Sequence, residues 1–361
     1  MLFIFTQQYF KLLKVLCFII REKIKQGPWK IDTLSSQNLN ATFMNMYGTV
    51  STPTSTPESF STVFKASTSI FTIFLILGTI FGNMLVILAF IMFYRIRMKT
   101  NIFLVSLACT DLCVALLSMP LWTVYLLTGP GWVLHHVLIR IWTLTDILFG
   151  TASIMNLMVI SIDRLICINK PLEYDNVMTW ARIRAAVIFV WAYSLLLAMT
   201  SYFLWYYAIF NLAVSIISFF LPLMFISTAY ALIFKIALRH AREIKTATPD
   251  LSKHIKPGSF GLLKSVKAVK TLAVVVGAFV ICWIPFFALN MTYSLCVHCP
   301  INPNLILVTK WMHYGNSFIN PVIYALISRD FRLSFKKLLV CCTKTKQEEF
   351  FHMHFNMQKP T

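Results

Sequence analysis

An apolar run, Trp142 to Pro171, carries one acid near its start, Asp146, and an Asp163-Arg164 pair towards its end. Asp146 and Arg164 are 18 positions apart (164 − 146 = 18). At about 1.5 Å per helical residue that separation is roughly 27 Å, close to the hydrocarbon thickness of about 30 Å. One helix would hold a carboxylate near one face of a membrane and a guanidinium at the other. A charge at the centre of a span costs at least about 2.5 kcal/mol, so Asp146 needs a positive partner. That partner is either a bound cation or a neighbouring Lys310 or His313. Other chemistry lies in later apolar runs. Ser215 and Ser218 are three apart and share a face on an α-helix, where they either bond a ligand or pack between helices. Trp283, Phe286 and Phe287 form an aromatic wall suited to a ring or a cation. Asp111 is the other acid inside an apolar run.

Membrane spans must position these groups. The chain has 361 residues, 58% hydrophobic and 12% charged, with mean hydropathy +0.72. A soluble domain is about 25% charged, so the expected class is an all-α membrane protein. The net charge of +19 falls largely in short segments between apolar runs, where it orients spans; no nucleic-acid partner is expected. The spans are read at 66–94, 101–127, 142–171, 185–203, 207–234, 272–295 and 305–328. The fourth and fifth are separated by length alone: residues 185–234 contain no charge, and fifty helical residues would extend roughly 75 Å. Pro285 and Pro321 are expected to bend the sixth and seventh spans.

Basic residues follow the odd-numbered spans, placing the N-terminus outside and the C-terminus inside. The predicted organisation is an outer tail over 1–65, a seven-span bundle over 66–328, an interfacial helix over 329–342 and an inner tail over 343–361. The tail carries a glycosylation sequon at Asn40. Its basic first part conflicts with an outside location, so Met44 or Met46 is the expected start and 1–43 the expected artefact. The interfacial helix has basic and apolar faces, and Cys341 and Cys342 at its end are either palmitoylation sites or free thiols.

Seven motifs stand in register on the seven spans: Gly82-Asn83; Leu107-Ala108-x-x-Asp111; Asp163-Arg164-Leu165; Trp191; Pro222 with Tyr230; Phe279-x-x-Cys282-Trp283-x-Pro285; and Asn320-Pro321-Val322-Ile323-Tyr324. In these the chain resembles rhodopsin-like (class A) G-protein-coupled receptors over roughly 67–342. The stretch Thr151 to Leu157 narrows the resemblance to biogenic-amine receptors of the dopamine, trace-amine and octopamine kind. The resemblance implies a protonated amine bound to Asp146, with Ser215, Ser218, Trp283, Phe286, Phe287, Trp311 and Tyr314 around it. Tyr314 would orient the aspartate. Asn83, Asp111, Ser153, Asn316, Ser317 and Asn320 would supply an allosteric sodium site, the one cofactor expected. Pro222, Ile154 and Phe279 would connect the ligand to the inner end. There Asp163, Arg164, Tyr230 and Tyr324 would rearrange to admit a heterotrimeric G protein. The location implied is the plasma membrane, in contact with its lipids.

Departures from the pattern matter as much. A retinal-binding opsin would need lysine at the position of Tyr314; Lys310 is one turn further out. Ile139 stands where the family has a cysteine, and the loop carrying its partner is nearly absent. The resemblance implies that Cys296 and Cys299 form a short loop disulfide, as in several amine receptors; the alternative is half of a metal site, for which no second pair exists. Ser265 replaces a glutamate that pairs with the arginine matched by Arg164. This implies a weaker inactive-state clasp and raised basal signalling, which a Ser265→Glu variant tests. No nucleophile and base share a site, so enzyme activity is not expected. A transporter would show internal repeats or polar residues spread through several spans; here the intramembrane acids are confined to Asp111 and Asp146, and no repeat is evident.

Overall fold

Long apolar runs in lipid must satisfy every backbone group internally, which favours helices. The computed structural model describes residues 62–128, 135–204, 208–246, 258–295 and 302–343, and every regular element among them is helical. Helix α1 is Thr62–Met92. Helix α2 runs through Ile102–Cys113, Val114–Ser118 and Met119–Thr128. Helix α3 is His135–Asn169 and α4 is Trp180–Leu204. Helix α5 runs through Ala208–Ser215, Ile216–Phe220 and Leu221–Thr246. Helix α6 is Gly258–Leu295, α7 is Pro303–Ile327 and α8 is Arg329–Thr343.

Helices α1 to α6 are each long and apolar enough to cross a membrane. The seventh, α7, carries Lys310, His313, Asn316 and Asn320 as buried polar residues and packs along α6 and α1. The seven form a bundle in which sequence neighbours touch and α7 closes back on α1. Helix α3 also meets α5 and α6, which puts Asp146 and Arg164 inside the bundle. Its outer surface is apolar: Ile70, Phe74, Leu77, Ile188, Leu196 and Phe225 are all exposed. Such a belt faces lipid rather than water.

Several helices begin earlier than their apolar runs. Helix α3 starts at His135 and α6 at Gly258, because apolarity marks only the part within hydrocarbon. Helix α4 carries Arg182 and Arg184 near its start. It buries only a stripe, Ile183, Val190, Ser194, Ala198 and Ser201, whose small residues let it lie close to α3.

Two helices are locally widened to π-helical turns, Val114–Ser118 in α2 and Ile216–Phe220 in α5. Each precedes a proline, Pro120 or Pro222. Proline lacks an N–H and its ring clashes with the carbonyl four residues back. Those carbonyls belong to Leu116 and Ser218, inside the widened turns. Helices α6 and α7 continue through Pro285 and Pro321.

Helices α1 and α7 approach closely at glycine. A Cβ on Gly82 would lie 2.9 Å from both Cβ and Cγ of Pro321, a rigid ring. Gly82→Ala is therefore expected to destabilise the bundle by about 1–3 kcal/mol, read as a lower unfolding midpoint of the detergent-purified protein. An unchanged midpoint would show that the two helices are not in contact there.

Helix α7 is started by Asn302, whose side chain accepts from the Asn304 N–H at 2.9 Å, with Pro303 in the first turn. Helix α8 buries Phe331, Phe335 and Leu338 and exposes Lys336 and Lys337, as an interfacial helix does.

Candidate ligand site and the network beneath it

The side chains of Asp146 on α3 and Lys310 on α7 are 7% and 3% exposed, and they form an ion pair. Lys310 donates to Asp146 Oδ2. The Tyr314 hydroxyl donates to Oδ1 at 3.1 Å, and Trp142 Nε1 donates to the Tyr314 oxygen at 3.0 Å. Positions 310 and 314 are one turn apart on α7, so both face the same carboxylate. Of the two partners left open by the sequence, the structure shows the internal one. The Lys310 ammonium sits over the rings of Phe286, Trp142 and Tyr314, 4.6, 5.0 and 5.1 Å from their centroids. Three ring faces and a carboxylate make an ammonium cage.

His313 lies beside the cage, with its ring 4.2 Å from Trp283 and 4.7 Å from Phe286. Trp122 on α2 stacks with Tyr125 and packs tilted against Trp142, both at 5.3 Å. Its buried Nε1 has no hydrogen-bond partner among the described residues, and neither has Trp283 Nε1.

Below the cage, Phe219 is fully buried and joins α5 to α6. Its ring stacks on Phe287 at 4.1 Å and lies 6.1 Å from Phe279 and 6.4 Å from Trp283. Phe287 therefore packs against α5, while Phe286 forms the wall of the cage. Ser215 and Ser218 are both buried. The widened turn beginning at Ile216 makes a spacing of three fall further short of a full turn, so they do not share a face as closely as an α-helix predicts. Trp311 departs from the expectation. Its Nε1 donates to Thr72 Oγ1 at 3.2 Å and its ring meets Phe71 at 4.8 Å. One residue on from Lys310, it is rotated roughly 100° and serves the α1–α7 contact instead of the pocket.

A polar layer links α1, α2, α3 and α7 further in. Asn320 Nδ2 donates to Asp111 Oδ2 at 2.9 Å, and Asn83 Nδ2 donates to the Ser317 carbonyl at 3.1 Å. Asn83 Oδ1, Asp111 Oδ1, Ser153 Oγ and Asn316 Nδ2 are buried without a partner among the described residues. Native interiors rarely leave such groups unpaired without a reason.

At the far end of α3, Arg164 Nε lies 3.5 Å from Asp163 Oδ2. The Tyr174 hydroxyl donates to Asp163 Oδ1 at 2.7 Å from a one-turn helix, Tyr174–Val177. Burial, and then the Asp163 charge, hold the Tyr174 hydroxyl well above the usual phenol range, so it stays a donor. The Tyr230 and Tyr324 hydroxyls are buried; Tyr230 faces Ser161, and Tyr324 is unpartnered among the described residues. Tyr174→Phe is expected to loosen Asp163 by about 1.5–3 kcal/mol, the worth of a hydrogen bond to a charged group. A raised agonist-free second-messenger output would register it; an unchanged output would show that Tyr174 restrains nothing.

The sequence matches the family described as 7 transmembrane receptor (rhodopsin family) over residues 82–208 and 204–324. The chain belongs to the rhodopsin family of seven-transmembrane receptors. Similar proteins include the histamine H2 receptor of Cavia porcellus, 35% identical over 300 residues, covering 78% of this chain and 81% of that protein. The histamine H2 receptor of Homo sapiens is 33% identical over 312 residues, covering 80% and 84%. The octopamine receptor beta-1R of Drosophila melanogaster is 34% identical over 309 residues, covering 74% and 60%. The protein is thus a multi-pass membrane receptor and not an enzyme.

Of the residues read from sequence, the receptor brings Asp146, Trp283, Phe286 and Tyr314 together at one end. Asn83, Asp111, Ser153, Asn316, Ser317 and Asn320 lie in the middle layer. Asn40, Cys296 and Cys299 lie outside the described residues, as do the side chains of Ser265, Cys341 and Cys342, whose backbones belong to α6 and α8. The sequence reading missed Trp122, Phe219 and Tyr174. Each is an aromatic among many, and composition does not single it out.

Proposed function

We propose that the receptor binds a small ligand through a protonated amine at the Asp146 end of the bundle and activates a heterotrimeric G protein at the Arg164 end. The observation that carries this reading is the cage itself. A buried carboxylate, oriented by Tyr314 and walled by Phe286 and Trp142, is already closed around an ammonium, that of Lys310. The similarity to histamine and octopamine receptors supports it. In this reading the protein resides in the plasma membrane with its N-terminus outside, and the Asp146 end faces the exterior. The ligand shifts the receptor only by its differential affinity for the open state.

The test is second-messenger output in cells expressing the receptor, against histamine, octopamine, tyramine, dopamine, serotonin and their parent amino acids. A response that disappears in Asp146→Asn at equal surface expression supports the reading. A response that survives in Asp146→Asn rules it out.

The middle layer fits a sodium ion. Asp111 Oδ1, Asn83 Oδ1 and Ser153 Oγ are hard oxygen donors left buried and unpaired. A bound cation would neutralise Asp111 and satisfy them, favouring the closed bundle. Replacing potassium by sodium is expected to raise the unfolding midpoint of the purified receptor. The increment should vanish in Asp111→Asn, and an equal increment there would refute the site.

A further inference from the structure

We propose, resting on the amine reading above, that the ligand is amphoteric: an aromatic amino acid or similar zwitterion, whose ammonium takes Asp146 and whose anionic group takes Lys310. The geometry points to this through charge balance. Asp146 and Lys310 together are neutral, and both are buried. Both carboxylate oxygens are already engaged, Oδ2 by Lys310 and Oδ1 by Tyr314. A simple monocation that displaces Lys310 leaves a second ammonium buried among Phe286, Trp142 and Tyr314 with no counter-charge. Uncompensated burial of that kind is strongly unfavourable. A zwitterion inserts between the two charges and keeps each one paired, so the site stays neutral throughout.

The hydrogen-bond inventory points the same way. Around the cage the described residues hold donors in excess of acceptors. Trp122 Nε1 and Trp283 Nε1 are buried and unpartnered, and an indole N–H only donates. Lys310 offers further donors, while each Asp146 oxygen already accepts one hydrogen bond and the acceptor left near the cage among the unpartnered buried groups is a ring nitrogen, His313 Nδ1. Trp122 packs against Trp142, whose ring lies under the Lys310 ammonium. An anionic group drawn to Lys310 would therefore bring acceptor oxygens to the side of the cage that lacks them. The ammonium of an amine brings none.

The experiment uses matched pairs that differ only in the carboxylate: histidine and histamine, tyrosine and tyramine, 3,4-dihydroxyphenylalanine and dopamine. Each is applied to the full-length receptor, to Lys310→Met and to Lys310→Gln, with output normalised to surface protein. In the unmodified receptor, at least one amino acid is expected to act at a concentration about 10-fold or more below that of its amine. In Lys310→Met the order should invert, with the amine gaining about 100-fold, since a free Asp146 no longer has to be taken from an internal ammonium. Lys310→Gln should invert it likewise, which covers the case of a Met variant that does not reach the surface.

Preference for the amine in every active pair of the unmodified receptor overturns the proposal and leaves the amine reading standing. A ratio unchanged by removal of the Lys310 charge overturns it as well. Silence of every form towards all six compounds, with protein at the surface, overturns the amine reading itself.

Discussion

Replacing Asp146 by alanine is expected to destabilise the receptor more than replacing Asp146 and Lys310 together. In Asp146→Ala the Lys310 ammonium remains beneath three aromatic rings with nothing opposite it. Removing one partner of a buried ion pair costs about 3–5 kcal/mol. Lys310→Met strands the carboxylate in turn, with its Oδ1 still accepting from the Tyr314 hydroxyl. The double variant Asp146→Ala/Lys310→Met buries no charge, and apolar replacement of a whole buried pair is often neutral or better. A double-mutant cycle on unfolding midpoints of the four detergent-purified proteins should therefore show a coupling of about 3 kcal/mol or more. Additive losses would mean that the two side chains do not meet.

Phe219→Ala should produce the other large loss. The ring is fully buried and stacks on Phe287 at 4.1 Å, with Phe279 and Trp283 nearby. Deleting a buried phenylalanine typically costs about 3–5 kcal/mol, part of it from the cavity left behind. The helices around the site are themselves tied by packing, so partial collapse is all that can follow. Phe219→Leu keeps most of the volume and should lose less than half as much, roughly 1–2 kcal/mol. Near-equal effects of the two substitutions would mean that ring stacking, rather than volume, holds α5 to α6. Agonist efficacy should fall with stability in the alanine variant, because Phe219 lies between the cage and the buried Phe279.

The bundle itself was legible because long apolar runs and the charged segments between them are read directly from the residues. Asp146 was legible because a carboxylate in a span demands a partner, and Tyr314 only through the resemblance to amine receptors. Lys310 was visible only as one option. Its long stem could equally have snorkelled outward to water, and the choice depends on the rotation of α7, which an apolar run does not encode. The same rotation decided Trp311. Adjacent to Lys310 in sequence, it turned to Thr72 and Phe71 on α1. Phe219 stood in the run Ser-Phe-Phe-Leu-Pro, where no polar face gives the helix a direction. The widened turn that contains it had a sequence cause, Pro222, yet a proline more often signals a kink than an extra residue in the turn.

Those widened turns bear on how the chain can change in length. A π-helical turn holds one residue more than the α-helical turn it replaces, and the helix on either side keeps its place against its neighbours. Deleting a single residue within Val114–Ser118 or Ile216–Phe220 would return α2 or α5 to ordinary winding with both flanks still seated. The same deletion in the middle of α3 would turn one half of the helix by roughly 100° against the other and drive either Asp146 or Arg164 out towards lipid. Single-residue gaps in this architecture are thus tolerable at two prolines and ruinous along the helix that carries the charges.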